Sequence, residues 1–308
     1  MRFLTSLLAV LATFSALPAL AQDAVERVGK PVDGLTGFQP AVTDLARDIH
    51  FLDNMINWII AAICLLVIGL VCIIIVRYNR RANPTPATFT HHSTIEVLWT
   101  LGPVLVLVLI GAFSLPILFK QQIIPEGEVH IKVTGNQWYW SYEYTDEDFE
   151  FDSYLIDAQY KIDDEAAGWG DDQPMGAAQV KNEIAIKKLD YFGYAADEFL
   201  LATDTRVIVP VNKTVVMTVT GSDVIHSWTI PAFGVKQDAV PGRLAQLWFK
   251  AEKEGLYFGQ CSELCGKDHA YMPIVVQVVS DADYAAWLTK AKAEYAGTPA
   301  AVTVASND

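Results

Sequence analysis

Cys261-Ser-Glu-Leu-Cys265-Gly-Lys-Asp-His269-Ala-Tyr-Met272 gathers two thiols, an imidazole and a thioether in one short stretch. Thiolate and thioether sulfurs are soft ligands that favour copper, and imidazole suits copper or zinc. One Cys with a His and a weak Met at such intervals, plus a His on an earlier strand, is the donor set of a mononuclear blue-copper site. Here a second Cys stands four residues after the first. Residues four apart can present side chains about 5–6 Å apart on one side of a turn, so both sulfurs could bridge a pair of metals. The upstream imidazole is His226, in Asp-Val-Ile-His226-Ser-Trp-Thr-Ile. His226, Cys261, Cys265, His269 and Met272 together predict a two-copper electron-transfer centre.

Three other chemistries compete for these residues. Cys261 and Cys265 could pair as a disulfide in an oxidising compartment, which leaves His269 and Met272 without a role. Two Cys and two His could hold structural zinc, but Met272 is then idle and the spacing is uncommon for a zinc finger. Met272 alone could be a soft core gap-filler.

The rest of the chain must bring His226 to the loop. Residues 1–21 have a basic start, an apolar stretch and small residues before Gln22, the pattern of a cleaved export signal. A polar segment, 22–53, follows it. Asn54 to Val76 and Leu98 to Phe119 are uncharged and apolar, each long enough to cross a bilayer as a helix. They predict a transmembrane hairpin over 54–119. Its connecting loop holds Arg77, Arg80 and Arg81, which places the loop in the cytoplasm and both termini outside. Cys64 and Cys72 lie within the first span and read as small hydrophobes.

Beyond the hairpin the apolar period changes to two. Val129–Thr134, Thr205–Val209, Thr214–Thr220, Val224–Ile230, Leu244–Phe249, Leu256–Gly259 and Pro273–Val279 read as strands bounded by turns. They predict an all-β sandwich or barrel over 120–281, with an insertion over 153–200 carrying one helix near Asn182–Leu189. A helix over Tyr284–Tyr295 and a tail complete 282–308. The chain has a net charge of −14, and after Lys120 it carries 29 Asp and Glu against 14 Lys and Arg. Such a field repels nucleic acid and suits a cationic protein partner.

These residues resemble subunit II of haem–copper cytochrome c oxidases of the alphaproteobacterial and mitochondrial type. The motifs are Gln137-Trp-Tyr-Trp-Ser-Tyr-Glu-Tyr144, Asp223-Val-Ile-His226-Ser-Trp-Thr-Ile-Pro231, Val235-Lys-Gln-Asp-Ala-Val-Pro-Gly-Arg243 and Gly259-Gln-Cys261-Ser-Glu-Leu-Cys265-Gly266. The resemblance implies a cupredoxin-like domain with a dinuclear copper (CuA) centre. Cys261 and Cys265 would be bridging thiolates, His226 and His269 terminal ligands, and Met272 and the Glu263 carbonyl weak ligands. The Glu263 side chain would help bind magnesium shared with subunit I. Trp138 would receive electrons from cytochrome c, docked on Glu143, Asp148, Asp204 and Asp223. Glu96 would lie at the mouth of a proton-uptake channel in subunit I. Subunits I and III are the implied membrane partners, and the bacterial inner membrane the location, with the copper domain on its periplasmic side. No Cys-x-x-Cys-His occurs, so no c-type haem is attached. A membrane-anchored copper chaperone or store is the rival from another class; a purely structural oxidase subunit is a third.

Overall fold

The first apolar run is part of a longer helix. A computed structural model describes residues 25–295, in which α1 spans Asp44–Arg77 and α2 spans Ser93–Gln122. The expected export signal over 1–21 and the tail beyond Tyr295 lie outside the described residues. At 34 residues, α1 is about 50 Å long, well over a bilayer's apolar thickness. Both helices are long and apolar enough to cross a membrane, and Phe51 meets Phe113 between them with ring centroids 5.9 Å apart.

The polar turns at the start of α1 are helical because they are docked. Thr43 caps them: its hydroxyl accepts from the Ala46 N–H at 2.9 Å and donates to the Phe233 carbonyl at 2.7 Å. Gly234 has φ +67°, and a Cβ there would lie 2.6 Å from Ala46 Cα, so only glycine allows this approach. Arg47 donates to both oxygens of Glu252 at 2.8 Å each. Lys120, near the end of α2, donates to Asp44 and Asp48 at 2.5 and 2.6 Å. Trp248 Nε1 donates to the Lys120 carbonyl at 3.3 Å.

Ten strands follow: β1 Val129–Asn136, β2 Tyr139–Tyr144, β3 Phe149–Ser153, β4 Val207–Pro210, β5 Val215–Gly221, β6 His226–Ile230, β7 Val235–Ala239, β8 Ala245–Phe249, β9 Gly255–Gln260 and β10 Pro273–Val279. One sheet has the order β3-β2-β1-β5-β8 and another β4-β10-β9, while β6 and β7 form a ribbon. Burial alternates along β1 and β2, as expected of strands with one face inward. Ile131, Val133, Trp140, Tyr142, Val219 and Trp228 meet Tyr257, Ile274 and Val276 in one core, the filling of a β-sandwich.

The predicted strands are present with ends shifted by one or two residues. Three were not expected: β2, whose aromatic run stood only as a motif, β3, Phe149–Ser153, and β7, which is polar along its middle. Helix α3 occupies Glu183–Tyr191 and α4 Asp281–Tyr295.

The insertion covers the outer face of β9 and β10. Leu256, Phe258 and Val275 turn away from the main core and pack with Ile156, Leu189, Tyr194 and Ala202. Because both faces of this sheet are covered, its strands are apolar nearly throughout. Polar groups are buried with partners: Lys188 Nζ donates to the Tyr160 carbonyl at 2.6 Å, and Arg27 Nε to the fully buried Glu198 at 3.1 Å.

Candidate metal centre

His226 opens β6, and the Cys261–Met272 loop joins β9 to β10. The loop is held to β6 by the Ser262 N–H, which donates to the Ser227 carbonyl at 2.9 Å. Cys261 N–H donates to the Met272 carbonyl at 3.0 Å, closing the loop's base. Cys261, Cys265, His226 and Met272 are all buried.

The two sulfurs lie 3.8 Å apart, far beyond a disulfide bond of about 2.05 Å. His226 Nδ1 is 3.9 Å from the Cys261 sulfur, and His269 Nδ1 is 3.6 Å from the Cys265 sulfur. Donor atoms of His226, Cys261 and Cys265 lie within 4.8 Å of one another. The Glu263 carbonyl is 3.3 Å from the Cys261 sulfur. Burial opposes ionisation of both thiols. At Cys261 the contacts with His226 and with the backbone at Glu263 and Ser227 outweigh it and bring the pKa to about 6. At Cys265 the neighbouring Cys261 charge adds to burial and pushes it up to about 12. Two close, unbonded, buried sulfurs with an imidazole at each fit a soft-metal pair.

His226 is aimed by its surroundings. Its Nε2 lies 2.9 Å from Asp223 Oδ1, and Asp223 also accepts from the backbone N–H groups of Gln137 at 2.8 Å and Val224 at 2.6 Å. Burial works against this carboxylate, but those bonds outweigh it and hold its pKa below the usual aspartate value. With Nε2 committed to Asp223, Nδ1 faces the sulfurs, the second-layer arrangement common at metal-bound histidines. Sequence reasoning placed Asp223 only among docking acids; its spacing of three residues from His226 was the available signal.

Gly135 makes the room for His226, since a Cβ there would lie 2.8 Å from the imidazole Cγ and Cδ2. Gly135→Ala is therefore expected to displace the ring and lower metal affinity by roughly tenfold or more. Metal titration with a competing chelator checks this, and wild-type affinity would refute it.

Trp138 sits in the two-residue connection between β1 and β2. Its Nε1 donates to the Cys265 carbonyl at 3.3 Å, and Gln137 Nε2 donates to the same oxygen at 2.9 Å. The other sequence-predicted residues are more scattered. Glu263 is exposed on the loop. Asp148 is exposed at the turn before β3, with φ +55°. Glu143 accepts from Lys132 at 2.7 Å. Asp204 is half-buried and accepts from Tyr160 OH at 2.8 Å and the Tyr154 N–H at 2.7 Å. Burial, the larger influence, raises its pKa. Glu96 lies far away in the first turn of α2, where its Oε1 accepts from the His92 N–H at 3.1 Å.

The profile for the cytochrome C oxidase subunit II periplasmic domain matches residues 129–174 and 182–279, and that for its transmembrane domain matches 31–117. Cytochrome c oxidase subunit 2 of Cereibacter sphaeroides is 55% identical over 274 residues, covering 89% of this chain and 86% of that protein. The probable cytochrome c oxidase subunit 2 of Rickettsia bellii is 38% identical over 261 residues, covering 84% and 85%. The crystal structure of the periplasmic domain of subunit II (CoxB) of Bradyrhizobium japonicum is 43% identical, covers 56% of this chain and 100% of that one, and superposes with a TM-score of 0.42. The chain belongs to the cytochrome c oxidase subunit II family, and is thus a subunit of an oxidoreductase complex.

Proposed function

We propose that this subunit receives electrons from a c-type cytochrome at a dinuclear copper centre and delivers them to haem in subunit I. The observation that carries this reading is that the two imidazoles approach different sulfurs. A single tetrahedral zinc needs all four donors converging on one point, whereas His226 beside Cys261 and His269 beside Cys265 would suit a pair of metals. Cys261, Cys265, His226 and His269 would hold the pair, with Met272 and the Glu263 carbonyl as weak ligands. When bound, the pair supplies a one-electron redox couple.

This chain's part is to hold that geometry still and keep water out. The ligands, buried except for the half-buried His269, are split between a strand and a loop tied to it, an arrangement suited to fixed coordination. A chaperone or store needs metal that exchanges, which buried donors oppose. Trp138 is the donor-facing group, one hydrogen bond from the Cys265 backbone. The excess of acids over bases after Lys120 draws a cationic cytochrome. The exposed Glu263 carboxylate would share magnesium with subunit I, and Glu96 would lie at the proton-uptake mouth of that partner. Subunit III completes the membrane core. The Arg-rich loop between α1 and α2 would be cytoplasmic, with the sandwich on the periplasmic side of a bacterial inner membrane.

Metal analysis with electron paramagnetic resonance on the purified complex tests the reading. Two coppers sharing one unpaired electron are expected in this subunit. Zinc, a lone labile copper, or a Cys261–Cys265 disulfide in the working enzyme would sink it.

Asp223 separates docking from positioning. Asp223→Ala is expected to alter the copper absorption bands and lower metal affinity by about tenfold or more, as loss of a ligand-orienting carboxylate does. A pure docking role would instead raise KM for cytochrome c and leave the spectrum unchanged.

A further inference from the structure

A cation stands over the residue proposed to meet the donor. Lys267 lies in the metal loop with its side chain 76% exposed, and its ammonium is 5.3 Å from the centre of the Trp138 ring. The local backbone puts it there. Gly266 has φ +130°, and a Cβ on it would lie 2.9 Å from Trp138 Cζ2, so the chain is pressed against the indole just before Lys267. The ring is held by its N–H bond to the Cys265 carbonyl, which leaves a face for the ammonium.

Lys267 is only partly neutralised. Asp268 Oδ2 is 3.7 Å from its Nζ, while the other oxygen of Asp268 accepts from Gln179 Nε2 at 3.2 Å. Trp138 is half-buried, but the ammonium over it is exposed, and a cation–π contact with a solvated cation is held weakly and is easily displaced.

We propose that Lys267 is a donor-selectivity residue that disfavours strongly basic c-type cytochromes relative to acidic ones at the moment of contact. The inference rests on Trp138 being the surface at which the donor docks. The net acidity of the domain acts over a distance and speeds encounter with basic proteins. At contact Lys267, set against the indole itself, bears directly on the donor's surface, while the nearby Asp223 is committed to His226 and to the backbone at Gln137 and Val224. A donor reaching the indole must bring its own surface up to Lys267 and push the ammonium aside. Like charges set opposite each other are a means of rejecting partners that the general field attracts.

The test uses the intact oxidase with two reduced donors, one strongly basic c-type cytochrome and one acidic. In Lys267→Gln the ratio of kcat/KM for the basic donor to that for the acidic donor is expected to rise about two- to fivefold at low salt. The shift should shrink at high ionic strength, and Lys267→Arg should keep the wild-type ratio. The copper absorption bands should be unchanged in both variants. A ratio that stays the same or falls overturns the proposal. So does a rise accompanied by altered copper bands, since the loop rather than the charge would then be acting. Trp138→Phe is measured alongside. If it slows both donors with copper retained, the docking surface stands and the Lys267 result is decided by the ratio alone. If it leaves both rates untouched, the docking surface is wrong and this proposal falls with it.

Discussion

Cys261→Ser is expected to abolish the metal pair and lower cytochrome c-driven oxygen uptake by more than about 100-fold, beyond the usual loss from an outer-layer change. Cys261 is the hub of the site: His226, Cys265 and the Glu263 carbonyl all lie within 3.9 Å of its sulfur. It is also the thiol whose pKa its contacts with His226 and the backbone lower against burial, so it gives up its proton more readily than Cys265. A serine hydroxyl is smaller, harder and not ionised near neutral pH, and soft metals bind it poorly. His226 would meanwhile remain buried and aimed at a position with no sulfur. Copper content and oxygen uptake with reduced cytochrome c are the measurements. Two coppers and wild-type turnover in the serine variant would show that the centre lies elsewhere.

Gly259→Ala is expected to destabilise the protein by about 3 kcal/mol or more, lowering Tm by roughly 5–10 °C. Gly259 lies in β9, two residues before Cys261. A Cβ there would sit 1.8 Å from the Thr229 carbonyl of β6 and 3.0 Å from Ile230 Cδ1. The first contact is with backbone, so no side-chain rotation relieves it; β6 and β9 must separate. Those strands carry His226 and lead into the metal loop, so copper loss should accompany the drop in Tm. A thermal melt of detergent-purified protein decides it, and an unchanged Tm would mean that the close approach relaxes without loss.

The cluster of candidate donors was legible because most of it is local. Spacing among Cys261, Cys265, His269 and Met272 carries the chemistry, and a loop between two strong strands brings them together. The hairpin was legible for the simplest reason, uncharged length. The upper turns of α1 were not, because Asp44 to Asp53 looks like surface loop until Thr43, Arg47 and Lys120 find their partners across the domain. The β7 strand, Val-Lys-Gln-Asp-Ala, has little strand character of its own; its pairing with β6 sets its conformation. The insertion was opaque because it buries Lys188, Gln173 and Glu198, residue types that ordinarily mark solvent. The apolar run of β10 did contain a clue, since a strand buried on both faces requires something to cover the second.

The joint between α1, α2 and the sandwich bears on how electrons are delivered. Thr43 on the Phe233 carbonyl, Arg47 on Glu252, Lys120 on Asp44 and Asp48, and Trp248 on Lys120 are spread over both helices. Such a bracket leaves no slack for the head of the molecule to tilt like a tethered float. The carrier must do the travelling, and it meets a socket kept at a constant bearing relative to both helices.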